Sequence, residues 1–186
     1  MQYADSLYGR SVGAGVLHVV LIGWPVGVPA LPPASAWAEQ PNEAWREFDR
    51  LLDCLREQPW DLPEGTAFVL TTRVDGLPAV ADERHWLPLR GRADWVQCVL
   101  GCGGRVWPRK LSPTHFSCPM CGGGLRPWVR LSRDSAWVQG ANSGAENRFQ
   151  DVVARLRGRR VELMCHAMTG EQTLQRLAQR LRRELA

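Results

Sequence analysis

Four of the six cysteines fall into two close pairs. Cys98 and Cys102 bracket Val-Leu-Gly, Cys118 and Cys121 bracket Pro-Met, and fifteen residues separate the pairs. This is the spacing at which two short knuckles present four thiolates to one Zn²⁺, although the first pair holds one residue more than the usual two. A tetrahedral sulfur shell satisfies this borderline-soft ion. Glycines at 101, 103, 104 and 122 to 124 let the backbone turn tightly around it. Four protein ligands leave no position open for water, so such a site is structural. The competing reading, disulfides or idle thiols, is disfavoured in a reducing compartment. His115, in the loop between the knuckles, reads as a surface residue. Cys54 and Cys165 fall on an expected helix and strand, where buried apolar thiols are the ordinary case.

The elements that must carry these knuckles alternate between strand and helix. The run "LHVVLIG" reads as a strand of a parallel sheet, apolar on both faces. The proline-rich "WPVGVPALPPASAWAEQP" after it reads as a surface connection unable to sustain a helix. Asn42 is the expected cap of a helix in which Trp45, Phe48, Leu51, Leu52 and Leu55 form one stripe, and that stripe is expected to pack on the sheet. "TAFVLTT" (66–72) and "HWLPL" (85–89) are further strands. Beyond the cysteines, Phe149, Val152, Val153 and Leu156 mark a helix ended by Gly158; "RVELMC" is a strand, and Leu174, Leu177, Ala178, Leu181 and Leu185 mark the last helix. The alternation predicts an α/β fold.

Composition narrows the partner class only a little. The chain has 186 residues and a net charge of +4, and Lys110 is its only lysine. The arginines of the last helix read as a solvated face first and a docking surface second. Arg105, Trp107, Arg109 and Lys110 on the cysteine module offer phosphate and stacking contacts, but the modest charge sets nucleic acid aside as the expected partner. Nine tryptophans suit either a core or an interface. No run reaches the ~18 to 20 apolar residues of a membrane span. Asp5 balances Arg10 and His18 interrupts the apolar run, which favours a cytoplasmic chain over one with an export signal.

The order "QPNEAW", "VLTTRVDGL", "LPLRG", four cysteines, "GGGLRPWV", "VQGANS" and "RRVELM" resembles the sirtuins, the NAD-dependent protein deacylases, over nearly the whole chain. The resemblance implies a Rossmann-like parallel sheet with a small zinc-ribbon module inserted. Residues 1–94 would form the first part of the Rossmann-like domain, 95–130 the zinc ribbon and 131–186 the second part. NAD and an acyl-lysine peptide would meet in the cleft between them.

Several positions that carry the sirtuin reaction are altered. Where the family has the histidine of Leu-His-Gly as general base, this chain has Arg90, which does not release its proton near neutral pH. His85, an odd number of residues upstream in an extended strand, faces away from that position. Thr-Gln-Asn-x-Asp becomes Thr71, Thr72, Arg73, Val74, Asp75, which loses the glutamine and asparagine that hold the ribose and keeps the aspartate of the nicotinamide pocket. At the phosphate loop stand Gly23 and Trp24 followed by Pro25, and a tryptophan and a proline suit close approach to a pyrophosphate poorly. Gly13 to Gly15 lie on the wrong side of the first strand for a dinucleotide fingerprint. The Gly-Thr-Ser turn reads Gly140, Ala141, Asn142; Met164 replaces the asparagine that contacts the adenosine ribose; and Ser132, Arg133, Asp134 replace Phe-Gly-Glu.

The sequence therefore leads to structural Zn²⁺ on Cys98, Cys102, Cys118 and Cys121, with NAD not expected as a cofactor. The expected function is that of a catalytically inactive sirtuin-like subunit that binds another protein, favouring a hetero-oligomer. The alternative is an altered NAD-dependent deacylase, or another enzyme using the remodelled cleft. In that case Arg73 and Arg90 would meet there and suit a phosphate or carboxylate, unless each salt-bridges a carboxylate such as Asp75 or Glu83.

Overall fold

The computed structural model describes residues 17–58, 66–76, 85–109, 117–158, 160–167 and 170–185. The terminal Gly13 to Gly15, together with Glu83, Lys110 and His115, lie outside them.

Two sheets organise the described residues. The first is parallel and four-stranded, in the order β3-β2-β1-β7, from β1 (Leu17–Ile22), β2 (Thr66–Thr71), β3 (Trp86–Pro88) and β7 (Val161–His166). The central β1 is buried on both faces, as its uninterrupted apolar run requires: Val19 and Leu21 join one core, Val20 and Ile22 another. The first of these cores is covered by α3 (Ser143–Leu156) through Phe149 and Val153, and by α4 (Gln172–Leu185) through Leu174, Ala178 and Leu181. This is the α/β arrangement expected from the alternating pattern, with the Rossmann-like parallel sheet that the resemblance implies.

The second sheet is antiparallel, β5-β4-β6, from β4 (Gly91–Cys98), β5 (Val106–Pro108) and β6 (Leu125–Val129). Only Leu89 and Arg90 separate its first strand from β3. The Arg130 N–H donates to the Arg90 carbonyl at 2.8 Å, which fastens the return from the small sheet beside the end of the large one.

Three expectations are corrected. The proline-rich connection does form a helix, α1 (Ala34–Glu39), because Pro32 and Pro33 precede its first turn, where a missing N–H costs no helical bond. Its Trp37 is 2% exposed and packs edge-on against Trp45 at 4.9 Å between ring centres, so this side chain lies in the chain's own core. The next helix, α2 (Pro41–Arg56), starts at a proline, with Asn42 inside its first turn and no side-chain cap at Gln40. Its stripe from Trp45 to Leu55 is buried as expected, but in one core with Val96, Leu125 and Val129 of the small sheet. Periodicity fixes which face is buried, not what covers it.

Candidate functional site

The four knuckle cysteines converge. Cys98 ends β4 and Cys102 opens the short 3₁₀ turn after it, while Cys118 and Cys121 form the turn that leads into β6. Their Sγ atoms all lie within 4.8 Å of one another. Cys98 to Cys121 measures 3.6 Å, and Cys102 is 3.3 Å from both Cys118 and Cys121. Four sulfurs around zinc at about 2.3 Å define a tetrahedron with edges of about 3.8 Å, so the quartet is close to the size the ion needs. These separations are also far longer than a disulfide bond of about 2.05 Å.

Each knuckle supplies a backbone donor to its first sulfur. The N–H groups of Leu100 and Met120 point at Cys98 and Cys118 Sγ, both at 3.4 Å, and stabilise negative charge there. Gly101 makes the first turn with φ of 67°, and a Cβ on it would lie 2.8 Å from the Ala136 carbonyl oxygen. The extra residue of the first knuckle is thus absorbed by a left-handed glycine that no other residue would replace without strain.

Without a cation the quartet holds its protons unevenly. Burial pushes the Cys118 thiol up, but the N–H groups of Met120 and Cys121 and the thiols of Cys102 and Cys121 outweigh it and bring it down to about 7. Cys102 is pushed well above the usual thiol range, first by its hydrogen bonds to Cys121 and Cys118. Four thiolates cannot share so small a volume unless a cation balances them. The donor set, its size and its backbone support all fit zinc. By contrast, Cys54 and Cys165 are exposed, against expectation: Cys54 stands on the outer side of α2 and Cys165 on the edge strand β7.

The second place where altered residues gather is the carboxyl end of the parallel sheet. From β1 the chain passes to β2 on one side and returns as β7 on the other, so a crevice opens where sheets of this class bind ligands. Two hollows of about 400 and 420 Å³ lie there and share Ala30, Leu31 and Arg90. Thr72, Arg130 and Ser132 line the first; Trp24, Val26 and Glu171 line the second.

Gly23, at the end of β1, is pressed against the turn after β7. Its N–H donates to the His166 carbonyl at 2.9 Å, and a Cβ would sit 1.9 Å from the Ala167 carbonyl oxygen. The following N–H, of Trp24, donates to Glu171 Oε1 at 3.1 Å. The same oxygen accepts the Thr72 hydroxyl at 3.1 Å, and Oε2 lies 3.5 Å from Arg90 Nη2. Glu171 is 6% exposed, so its charge is met almost entirely by these neighbours.

Arg73 and Arg90 do not form a joint anion site. Arg73 is 3% exposed and donates to Asp75 from Nε at 3.3 Å and Nη2 at 2.7 Å, and Nη2 also reaches the Leu55 carbonyl at the end of α2. Asp75 is therefore held as the counter-ion of its own neighbour. Met164 sits on β7 opposite Val20, half-buried against the apolar side of the sheet, and neither it nor Gly140 lines the hollows. Gly140 and Asn142 belong to the 3₁₀ turn Gln139–Asn142 that leads into α3. On the cysteine module, Arg109 is engaged within the chain: it donates to Asp49 at 3.0 Å and lies 4.8 Å from the Trp45 ring centre. Arg105 is exposed and Trp107 half-buried.

Glu171 escaped the sequence reading. A Gly-Glu pair before a helix looks like ordinary boundary chemistry, and its partner Trp24 is 147 residues away. Only the parallel sheet brings them together.

No family model matches the chain. Among curated proteins, an NAD-dependent protein deacylase of Aeropyrum pernix is 38% identical over 94 residues, covering 50% of this chain and 34% of that protein. Deacylases of the same name from two Thermus thermophilus strains are 29% and 30% identical over 138 residues, or 64% of this chain and 54% of each relative. The chain thus spans between a third and about half of the length of these relatives. Among solved structures, a Sir2 homologue in complex with ADP-ribose superposes with a TM-score of 0.60 at 16% identity, covering 100% of this chain and 82% of that one. Sir2Tm bound to a propionylated peptide gives 0.51 at 12% identity, with 94% and 83% covered. At such identities these two superpositions speak for the fold alone.

Proposed function

We propose that this chain, sirtuin-like in sequence and in fold, is a zinc-bearing protein whose cleft does not run the deacylase reaction and which serves as a protein-binding, scaffolding or regulatory subunit. The observation that carries this reading is the pairing of Arg90 with Glu171. At the strand end where the resemblance places a general base stands a guanidinium that accepts no proton, and its charge is engaged by a buried carboxylate. Glu171 is itself a poor substitute base, because the Trp24 N–H, the Thr72 hydroxyl and Arg90 already draw on its oxygens.

The metal belongs to this reading as a structural element. Cys98, Cys102, Cys118 and Cys121 would hold zinc, which fastens the two knuckles to the small sheet and supplies no open position for chemistry. A protein partner is supported by three large apolar side chains left in solvent: Val26 at the mouth of the cleft, 75% exposed, and Leu100 and Met120 within the two knuckles, 72% and 57% exposed. No helix among the described residues is long and apolar enough to cross a membrane.

The test is a calorimetric titration of the zinc-loaded protein with NAD and with ADP-ribose. ADP-ribose binding needs no catalytic base, so it reports on the pocket itself. No heat from either ligand is the expected result. Micromolar binding would overturn the reading in favour of an altered deacylase, the activity that the curated relatives are named for. A photo-crosslinker at Leu100 or Met120 tests the partner, with one protein captured at fixed stoichiometry as the expected outcome.

A further inference from the structure

We infer that the Glu171 carboxylate is an internal anion, seated in a site built to hold one, and that this side chain closes the cleft to phosphate groups. Its two hydrogen-bond donors and its ion-pair partner come from three successive strand ends. The Trp24 N–H belongs to the turn leaving β1, the Thr72 hydroxyl to the residue after β2, and the Arg90 guanidinium to the second residue after β3. A backbone N–H at the end of the central strand, a hydroxyl and a guanidinium are together the donor set that recognises a phosphate. Here they converge on a carboxylate delivered by the residue just before α4.

Two observations separate this from an ordinary buried ion pair. The donors are positioned by contacts that do not involve Glu171: the Gly23 N–H is fixed on the His166 carbonyl, Thr72 N–H donates to the Ile22 carbonyl at 2.9 Å, and the Arg90 carbonyl accepts Arg130 N–H. Removing the carboxylate therefore leaves the three strand ends in place around one point, with the Trp24 N–H and the Thr72 hydroxyl unpaired, and an unpaired donor set favours whatever anion can reach it. The second observation is space. Arg90 lines both hollows, of about 400 and 420 Å³, so an anion larger than a carboxylate has room to enter.

This inference rests on the reading of the cleft as closed to nucleotide, and its test is independent of NAD. Wild type, Glu171→Gln and Glu171→Ala are titrated with inorganic pyrophosphate by calorimetry, and their thermal unfolding is followed with and without pyrophosphate or acetate. The wild type is expected to give neither heat nor a shift. Glu171→Ala is expected to bind pyrophosphate roughly tenfold or more tighter than the wild type, and acetate should raise its melting temperature by replacing the lost carboxylate. Adding Arg90→Gln to Glu171→Ala should abolish the gain. If Glu171→Ala does not fold, the isosteric Glu171→Gln decides, with a smaller gain expected. Equal affinity in the wild type and the folded variants overturns the inference, as does pyrophosphate binding by the wild type itself. Heat from NAD with the wild type would instead end the reading under Proposed function.

Discussion

Asp134 grips Arg126 through both carboxylate oxygens, at 2.6 and 2.7 Å, with the two side chains 1% and 2% exposed. Arg126 also donates to the Val129 carbonyl at 3.0 Å, and Asp134 accepts the N–H groups of Leu131 and Ala136, both at 3.2 Å. Burial pulls the guanidinium's pKa down, and Asp134 opposes that shift. Asp134→Asn leaves a buried cation half-paired and is expected to cost about 3–5 kcal/mol in urea unfolding. Replacing Arg126 and Asp134 together by apolar residues should cost clearly less than the sum of the single changes.

Zinc removal should loosen the small sheet first. Cys98 and Cys118 are buried in the same core as Trp45, Phe48 and Leu125, so losing the ion is expected to disturb α2 as well as the knuckles. Titration of the metal-free chain should reach saturation at one zinc. Because Cys102 holds its proton well above the usual thiol range, zinc must displace it at neutral pH. Binding should therefore release protons and weaken as the pH falls, more steeply below about 7, where Cys118 also takes up a proton. Calorimetry in buffers of different ionisation enthalpy counts the protons released.

Arg133 stands in left-handed backbone geometry with φ of 55°. The resemblance places it at the glycine of the sirtuin Phe-Gly-Glu, and a positive φ is the geometry that glycine adopts most readily. Arg133→Gly should stabilise the protein by about 0.5–1 kcal/mol, the relief of a left-handed non-glycine less the added freedom of the unfolded chain. Thermal unfolding of the two proteins side by side measures it.

Gly23 has no room for a side chain, because its Cβ would fall 1.9 Å from the Ala167 carbonyl oxygen. Gly23→Ala must push the end of β1 away from the turn after β7, at a cost of about 1–3 kcal/mol. The displacement also moves the Trp24 N–H away from Glu171, and thermal unfolding of the two proteins measures the combined cost.

Much of this was legible where one local property decides the outcome. An apolar run without polar interruption had to be a strand buried on both faces, and β1 is one. Two knuckles of fixed spacing had to meet, and the four sulfurs do. What escaped depends on partners distant in the chain. The pair Pro32 and Pro33 read as a breaker, but what holds α1 is Trp37 against Trp45 and Phe48. The α2 stripe could not say which sheet it would meet. Cys165 followed the usual habit of free cysteines only in expectation, since β7 is the last strand of its sheet and leaves one side uncovered. Arg73 was readable either way, and the carboxylate two residues on decided it.

The pairing of Arg90 with Glu171 reaches beyond the cleft. Arg73 with Asp75, and Arg126 with Asp134, repeat the same cancellation between buried partners, so these pairs act at long range as dipoles, not as charges. A dipole's field falls off faster than that of a net charge, and at physiological salt both fade within about 8 Å. The excess positive charge is felt instead at exposed arginines such as Arg176, Arg182 and Arg183 on α4. An approaching anion is thus guided toward that helix, and at the crevice chiefly by the exposed Arg130, so ionic strength should govern encounters there and leave the paired arginines nearly indifferent.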